Sequence, residues 1–194
     1  MKILCDIDGV VADFVTAYLR EVEAVTGHRY APEDVKEWHI GQALGLTREQ
    51  IDGADWRMSR GGWCSDLEPY PGAVEAVTEL ACSHDVWFCT MSFERSATWE
   101  SDRRKWLRKH FPEFVTGDGR PRVIFTPDKR HQMADIMIDD NARFCKDWAS
   151  EHWSETALLL DRPWNQGPHE SEGVMRVRDW SEVLEAVESI EACG

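Results

Sequence analysis

The sequence predicts an α/β protein: a mostly parallel sheet flanked by helices, with a small helical segment inserted after the first strand. Three observations lead there. Short apolar runs alternate with longer amphipathic ones, the pattern of strand–helix–strand units. The short runs are apolar throughout rather than alternating, as expected of strands covered on both faces. Residues 14–69 carry helical stretches and Gly- and Trp-rich turns but no strand pattern, and more than fifty residues is too long for a loop.

Taken in order, the first strand is read at residues 2–7, in the run KILCDI. The helical insertion follows, so that residues 1–13 and 71–194 form the core and residues 14–70 a cap over the sheet's carboxyl edge. A helix is read at 72–82, opened by Pro71 near its first turn. Strands at 85–91, 122–126, 136–139 and 156–160 are continuous apolar runs, and a short sixth is read at 174–177. Helices at 96–110 and 141–151 separate them. The last helix, 179–191, starts at Asp179 as N-cap and places Trp180, Val183, Leu184 and Val187 on one face. Between the final strands, residues 162–173 contain Pro163, Gly167, Pro168 and Gly173 and read as a flexible edge.

Composition narrows the function. At 194 residues the chain suits one domain with an inserted subdomain. A net charge of −14 argues against a nucleic-acid duplex or an anionic membrane as main partner, since both reward positive surfaces. A small phosphorylated molecule remains compatible where local cations or a metal reverse the field. No apolar run approaches the ~18 residues of a membrane span, and Asp6 and Asp8 interrupt any signal-peptide core. Six cysteines lie scattered without C-x-x-C spacing, four of them in apolar segments, which suits reduced thiols and a cytoplasmic setting. The seven histidines do not pair at zinc-ligand spacing. A homodimer is left open.

The chemistry is read from the strand ends, where open α/β sheets bind ligands. The first strand runs into Asp6 and Asp8, the second into Thr90, Met91 and Ser92; Lys129 follows the third, and the fourth ends in Asp139 and Asp140. Burying an ionised carboxylate without a partner costs several kcal/mol, so clustered acidic strand ends call for a metal ion, a hydrogen-bonded turn or exposure at the strand's end. Phosphoryl transfer through an aspartyl phosphate uses such a set. Asp6 attacks phosphorus, and Mg²⁺, which prefers oxygen ligands, removes the repulsion between carboxylate and phosphate. Asp6 and Asp140 fit as ligands, with Asp8 offering its backbone carbonyl. Asp8, beside the Gly9 turn, suits general acid and base work. Lys129 and Thr90 suit charge stabilisation at the phosphoryl oxygens.

D-x-D-G at the first strand, the strand-end Thr, the later Lys and the D-D pair resemble the four motifs of the haloacid dehalogenase (HAD) superfamily, in order. The likeness is closer still to the 5′(3′)-deoxyribonucleotidases, through DIDGVVADF, DLEPYPGAVEAV, KWLRKHF, FTPDK and ADIMIDDN. It covers most of the chain. The resemblance implies a Rossmann-like core and a cap after the first strand. It implies Asp6 as nucleophile, Asp8 as acid/base, Thr90 and Lys129 on phosphate, and Mg²⁺ held by Asp6, Asp8 and Asp140. It also implies a nucleoside pocket lined by the aromatic eight residues after the nucleophile, here Phe14, with Trp63 among the cap aromatics. Two positions depart from the family pattern: Asn141 stands where an arginine is frequent, and Met91-Ser92 where Ser-Pro is usual.

The expected activity is therefore a Mg²⁺-dependent phosphomonoesterase acting on (deoxy)ribonucleoside monophosphates. A HAD phosphatase or phosphotransferase for a non-nucleotide metabolite, and a catalytically silent phosphate-binding scaffold, are the alternatives. A receiver domain gathers similar residues, but its lysine follows the last motif and it has no such cap. Some residues carry two readings. Asp139 either orients the metal's waters from outside or caps the helix near 141; Ser92 either contacts phosphate or caps the next helix. Cys5 reads as a small strand hydrophobe. The basic run 102–110 reads as a solvated helix face with Trp106 and Leu107 turned inward. Of ten tryptophans, those in the cap (Trp38, Trp56, Trp63) read mostly as core, with Phe14 and Trp63 as the pocket candidates.

Overall fold

Six strands form one parallel sheet in the order β3-β2-β1-β4-β5-β6: β1 (Lys2–Cys5), β2 (Asp85–Thr90), β3 (Val123–Phe125), β4 (Ile136–Asp139), β5 (Thr156–Leu160) and β6 (Val174–Val177). The computed structural model describes residues 1–167 and 171–193. Strand order reverses at β1, whose neighbours are β2 on one side and β4 on the other, so a crevice opens at the carboxyl ends there.

Successive residues of each strand feed opposite layers. Ile3, Phe88, Ile138 and Leu158 join the larger core beneath α4 (Ala73–Ser83), α5 (Trp99–His110) and α7 (Trp180–Cys193). Leu4, Cys89, Met137 and Leu159 face Cys145, Trp148 and Ala149 of α6 (Ala142–Glu151). Asp179 Oδ1 accepts from the Glu182 amide at 3.1 Å, the N-cap expected for α7. All six cysteines are free, and Cys5, Cys64, Cys89 and Cys145 are buried. Among the described residues no helix is long and apolar enough to cross a membrane.

Element boundaries differ from expectation for local reasons. β1 stops at Cys5, two residues early, because the Ile7 carbonyl takes the amides of Val11 and Ala12 at 2.9 and 2.7 Å and closes a turn. α4 starts after Gly72, whose φ of 76° lies outside the helical region. α5 starts at Trp99 rather than 96, since the Ser96 amide folds back to Phe93 O at 3.0 Å.

Between β1 and α4 the chain forms α1 (Phe14–Thr26), α2 (Ile40–Ala43), α3 (Arg48–Met58) and two short 3₁₀ turns, Pro32–Asp34 and Trp63–Ser65. One face of this segment joins α5: Tyr18, Val22, Ala54, Met58 and Cys64 cluster with Trp99. The other face of α1, through Val15 and Leu19, packs on Trp164 in the loop after β5. The helical segment thus stands on two tryptophan feet, with the crevice between them. The loop expected to be a flexible edge is anchored in its first half. Asn165 Nδ2 donates to Asp140 O and Leu160 O, both at 2.8 Å, and Arg162 Nε donates to Gly9 O at 2.6 Å. Residues 168–170 of that loop lie outside the described residues.

Candidate active site

Asp6 leaves the sheet at the switch point, its amide still donating to Ile138 O at 2.9 Å. The turn that follows depends on Gly9. Its φ is 81°, and a Cβ there would lie 2.2 Å from Asp140 Oδ2. Only glycine therefore lets the turn close over the end of β4. The turn carries Asp8 away from Asp6 and toward α5, where Arg103 Nη2 donates to Asp8 Oδ1 at 2.5 Å.

Oxygens of Asp6, Asp139 and Asp140 lie within 4.8 Å of one another. Lys129, 4% exposed, is the cation facing them: its Nζ is 2.6 Å from Asp139 Oδ2 and 2.9 Å from Asp6 Oδ1. Asp139 uses its other oxygen to accept the Asn141 amide at 2.8 Å. Asp140 accepts from the Trp164 indole at 2.7 Å through Oδ2, while its Oδ1 is buried with no hydrogen-bond partner among the described residues. Three buried carboxylates against one ammonium leave surplus negative charge, and an orphaned carboxylate oxygen is what a hard divalent cation would satisfy. The residues fit Mg²⁺. Asp8 stands outside this carboxylate cluster; its Oδ1 is taken by Arg103, and the backbone carbonyl is the atom expected of it as a ligand.

The electrostatics follow from burial. Burial, with the charges of Asp139 and Asp6 added, pushes Asp140 well above the usual carboxylate range. Burial likewise raises Asp139 to about 6, against the pull of Lys129. Burial disfavours the Lys129 ammonium, but Asp139 and Asp6 reverse this and hold it protonated above the ordinary lysine range. Burial also raises Asp8, outweighing the opposing influence of Arg103.

Asp6, Asp8, Thr90, Lys129 and Asp140 share one cavity with Phe14, Met91 and Ser92. Ser92 Oγ is committed to Glu100 Oε1 at 3.0 Å; it does not cap α5, whose N-cap position is Thr98. Asp139 lies behind the cavity wall and is not the cap of α6. Asn141 is, accepting from the amides of Arg143 and Phe144 at 2.9 and 3.2 Å. Trp63 stands outside the lining. It packs edge-on behind Phe14 at 5.6 Å between centroids, and its indole donates to Glu21 at 3.0 Å, so it supports the wall without forming it.

The aromatic walls that sequence reasoning missed are Trp38, Phe93, Trp99, Phe144 and Trp164, with Val15, Ile40 and Met58 between them in the lining. Trp38 is 45% exposed and Trp56 65%, so neither is core. The basic run 102–110 is only partly solvated: Trp106 and Leu107 are buried as expected, but so are Asp102 and Arg103. Extending the inward face of α5 by helical spacing, from Trp106 back to Arg103 and Trp99, is the signal that would have found the arginine.

The family model described as 5′ nucleotidase, deoxy (pyrimidine), cytosolic type C protein matches residues 1–192. The human mitochondrial 5′(3′)-deoxyribonucleotidase is 31% identical over 148 residues, covering 72% of this chain and 62% of its own. The human cytosolic-type 5′(3′)-deoxyribonucleotidase is 34% identical over 152 residues, covering 72% of this chain and 70% of its own. The match thus spans about six-tenths of the mitochondrial relative's length. Among solved structures, a haloacid dehalogenase-like family hydrolase from Xanthomonas campestris superposes with a TM-score of 0.61 at 13% identity, covering 99% of this chain and 96% of its own. A Bacillus subtilis protein assigned as a HAD-hydrolase, bound to magnesium, gives 0.58 at 13%, covering 96% and 97%. At these identities the structures establish the fold.

Proposed function

The chain belongs to the 5′ nucleotidase, deoxy (pyrimidine), cytosolic type C family, and from that membership we propose a Mg²⁺-dependent phosphomonoesterase that hydrolyses (deoxy)ribonucleoside monophosphates. The observation that carries this reading is the shared cavity: Asp6, Asp8, Thr90 and Lys129 line one recess together with the aromatic rings of Phe14, Trp38, Phe93, Trp99, Phe144 and Trp164. Bound Mg²⁺, held by Asp6, Asp140 and the Asp8 carbonyl, would neutralise phosphate charge.

An Asp6 oxygen attacks phosphorus; the bond from phosphorus to the leaving oxygen breaks, and Asp8 delivers a proton to that oxygen. Water then attacks the aspartyl phosphate, Asp8 takes its proton, and inorganic phosphate leaves with Asp6 restored. Lys129, neutralised on one side by Asp139, presents its charge to Asp6 and the incoming phosphoryl oxygens. Thr90 supplies a hydroxyl donor there. Phe14 and the neighbouring aromatic walls receive the nucleoside, and residues 14–70 serve as the cap that closes over it. The free cysteines support a cytoplasmic setting.

Turnover of dTMP and dUMP with Mg²⁺, abolished by Asp6→Asn, is the expected result. No turnover by the unaltered protein removes the enzyme reading and favours a binding scaffold. Equal turnover of sugar phosphates and nucleotides removes the nucleotide assignment alone.

A further inference from the structure

The mechanism above leaves unused one fully buried cation. Arg103 is 0% exposed in a chain whose charge is −14. Its guanidinium lies 5.5 Å from the ring centroids of both Trp99 and Trp106. Asp8 is its sole ion-pair partner among the described residues, through Nη2 and Oδ1. Nε and Nη1 are buried and have no hydrogen-bond partner among the described residues.

That arrangement is poor as a structural device. A buried guanidinium with two orphaned donors loses hydration that one ion pair does not restore, and an apolar side chain of similar size would fill the same space at no such cost. What the arginine does is aim a carboxylate. The Asp8 side chain is 21% exposed and lines the cavity, and its Oδ2 has no protein partner among the described residues. Oδ1 is tied on the side of α5. The tie itself is rigid: the Trp106 indole is anchored to Leu67 O at 2.7 Å, and Trp99 stacks on Trp63 with centroids 6.0 Å apart. Asp102, adjacent in α5, accepts the Gly62 amide at 2.7 Å, so the same helix turn also holds the end of the helical segment.

Resting on the phosphatase reading, we infer that Arg103 is the positioning residue for Asp8: it grips Oδ1, keeps the carboxylate apart from Asp6, and leaves Oδ2 facing the leaving-group oxygen. Arg103 touches no substrate and acts only through Asp8. Its removal therefore harms protonation of the leaving group, not phosphate binding or attack by Asp6.

The experiment compares kcat/KM, which reports the step that expels the leaving group, for dTMP and for p-nitrophenyl phosphate, whose leaving group needs little protonation. Turnover of both by the unaltered protein comes first; its absence would sink the phosphatase reading, and with it the premise, in a way no Arg103 variant could. Arg103→Met is expected to lower kcat/KM for dTMP by about 10²-fold, the lower end of general acid contributions, and that for p-nitrophenyl phosphate by less than about threefold. Arg103→Lys keeps the charge and a donor in the same slot and recovers part of the dTMP loss. In an Asp8→Asn background, Arg103→Met should add no further loss, because the two act as one unit. Equal losses on both substrates in folded Arg103→Lys, a multiplicative loss in the double variant, or no loss on dTMP overturns the proposal.

Discussion

The indole of Trp164 donates to Asp140 Oδ2 at 2.7 Å, across 24 positions of sequence. The same ring packs against Val15, Leu19 and Val35 of the helical segment. One side chain therefore orients a candidate metal ligand and supports the helical segment between β1 and α4.

Trp164→Phe keeps most of the packing and deletes the donor. Groups that hold a ligand's other oxygen contribute about 10–100-fold in metal affinity. The Mg²⁺ concentration for half-maximal turnover is expected to rise about tenfold, with little change in melting temperature. An unchanged Mg²⁺ requirement would detach Trp164 from the metal site.

Gly9→Ala forces a residue with a Cβ into a φ of 81° and toward Asp140 Oδ2. The left-handed conformation alone costs ~1–2 kcal/mol, and the close approach adds to it. Melting is expected about 2–8 °C lower from the conformational cost alone for a chain of this size, with turnover lost. A variant that melts and turns over like the unaltered protein contradicts the tight turn.

The acidic cluster makes the metal-free protein sensitive to pH. Burial raises Asp139 to about 6 and Asp140 well above its ordinary value, so the folded state binds these protons more tightly than the unfolded chain does. Their contribution is fully present below about pH 4, the unfolded value, and is lost as pH rises through the folded values. In EDTA, Asp140→Asn is therefore expected to gain stability relative to the unaltered protein as pH goes from 4.5 to 7.5. Mg²⁺ at about 100 times its Kd should return roughly 2.7 kcal/mol to the unaltered protein at pH 7.5. Parallel melting-versus-pH curves for the two proteins would refute the assignment.

Phe14 and Trp63 separate a wall from its support. Phe14 lines the cavity, whereas Trp63 packs behind it with its indole on Glu21. Stacking on a base is worth ~1–3 kcal/mol, so Phe14→Ala should raise KM for dTMP about tenfold and barely move that for p-nitrophenyl phosphate. Trp63→Phe keeps an aromatic ring behind Phe14 and should leave both KM values nearly unchanged. The reverse ranking would make Trp63 the pocket residue.

By itself the sequence determined the sheet, the helical segment between β1 and α4, and the convergence of Asp6, Asp8, Thr90, Lys129 and Asp140. Strands buried on both faces must be apolar throughout, parallel strands end on the same edge, and each of these residues lies at or just beyond such an end. Those are consequences of local order along the chain. Tertiary structure alone decided the pairing of Asp8 with Arg103, 95 positions apart, the indole bond to Asp140, and the exchange of Trp63 for Trp38, Trp99 and Phe144 in the walls. The reason is rotational. Helical periodicity tells which residues share a face, but which face turns inward depends on how α5 and α1 dock. That docking is set by tryptophan contacts between segments distant in the chain, with Trp99 under α1 and α3 on one side and Trp164 under α1 on the other.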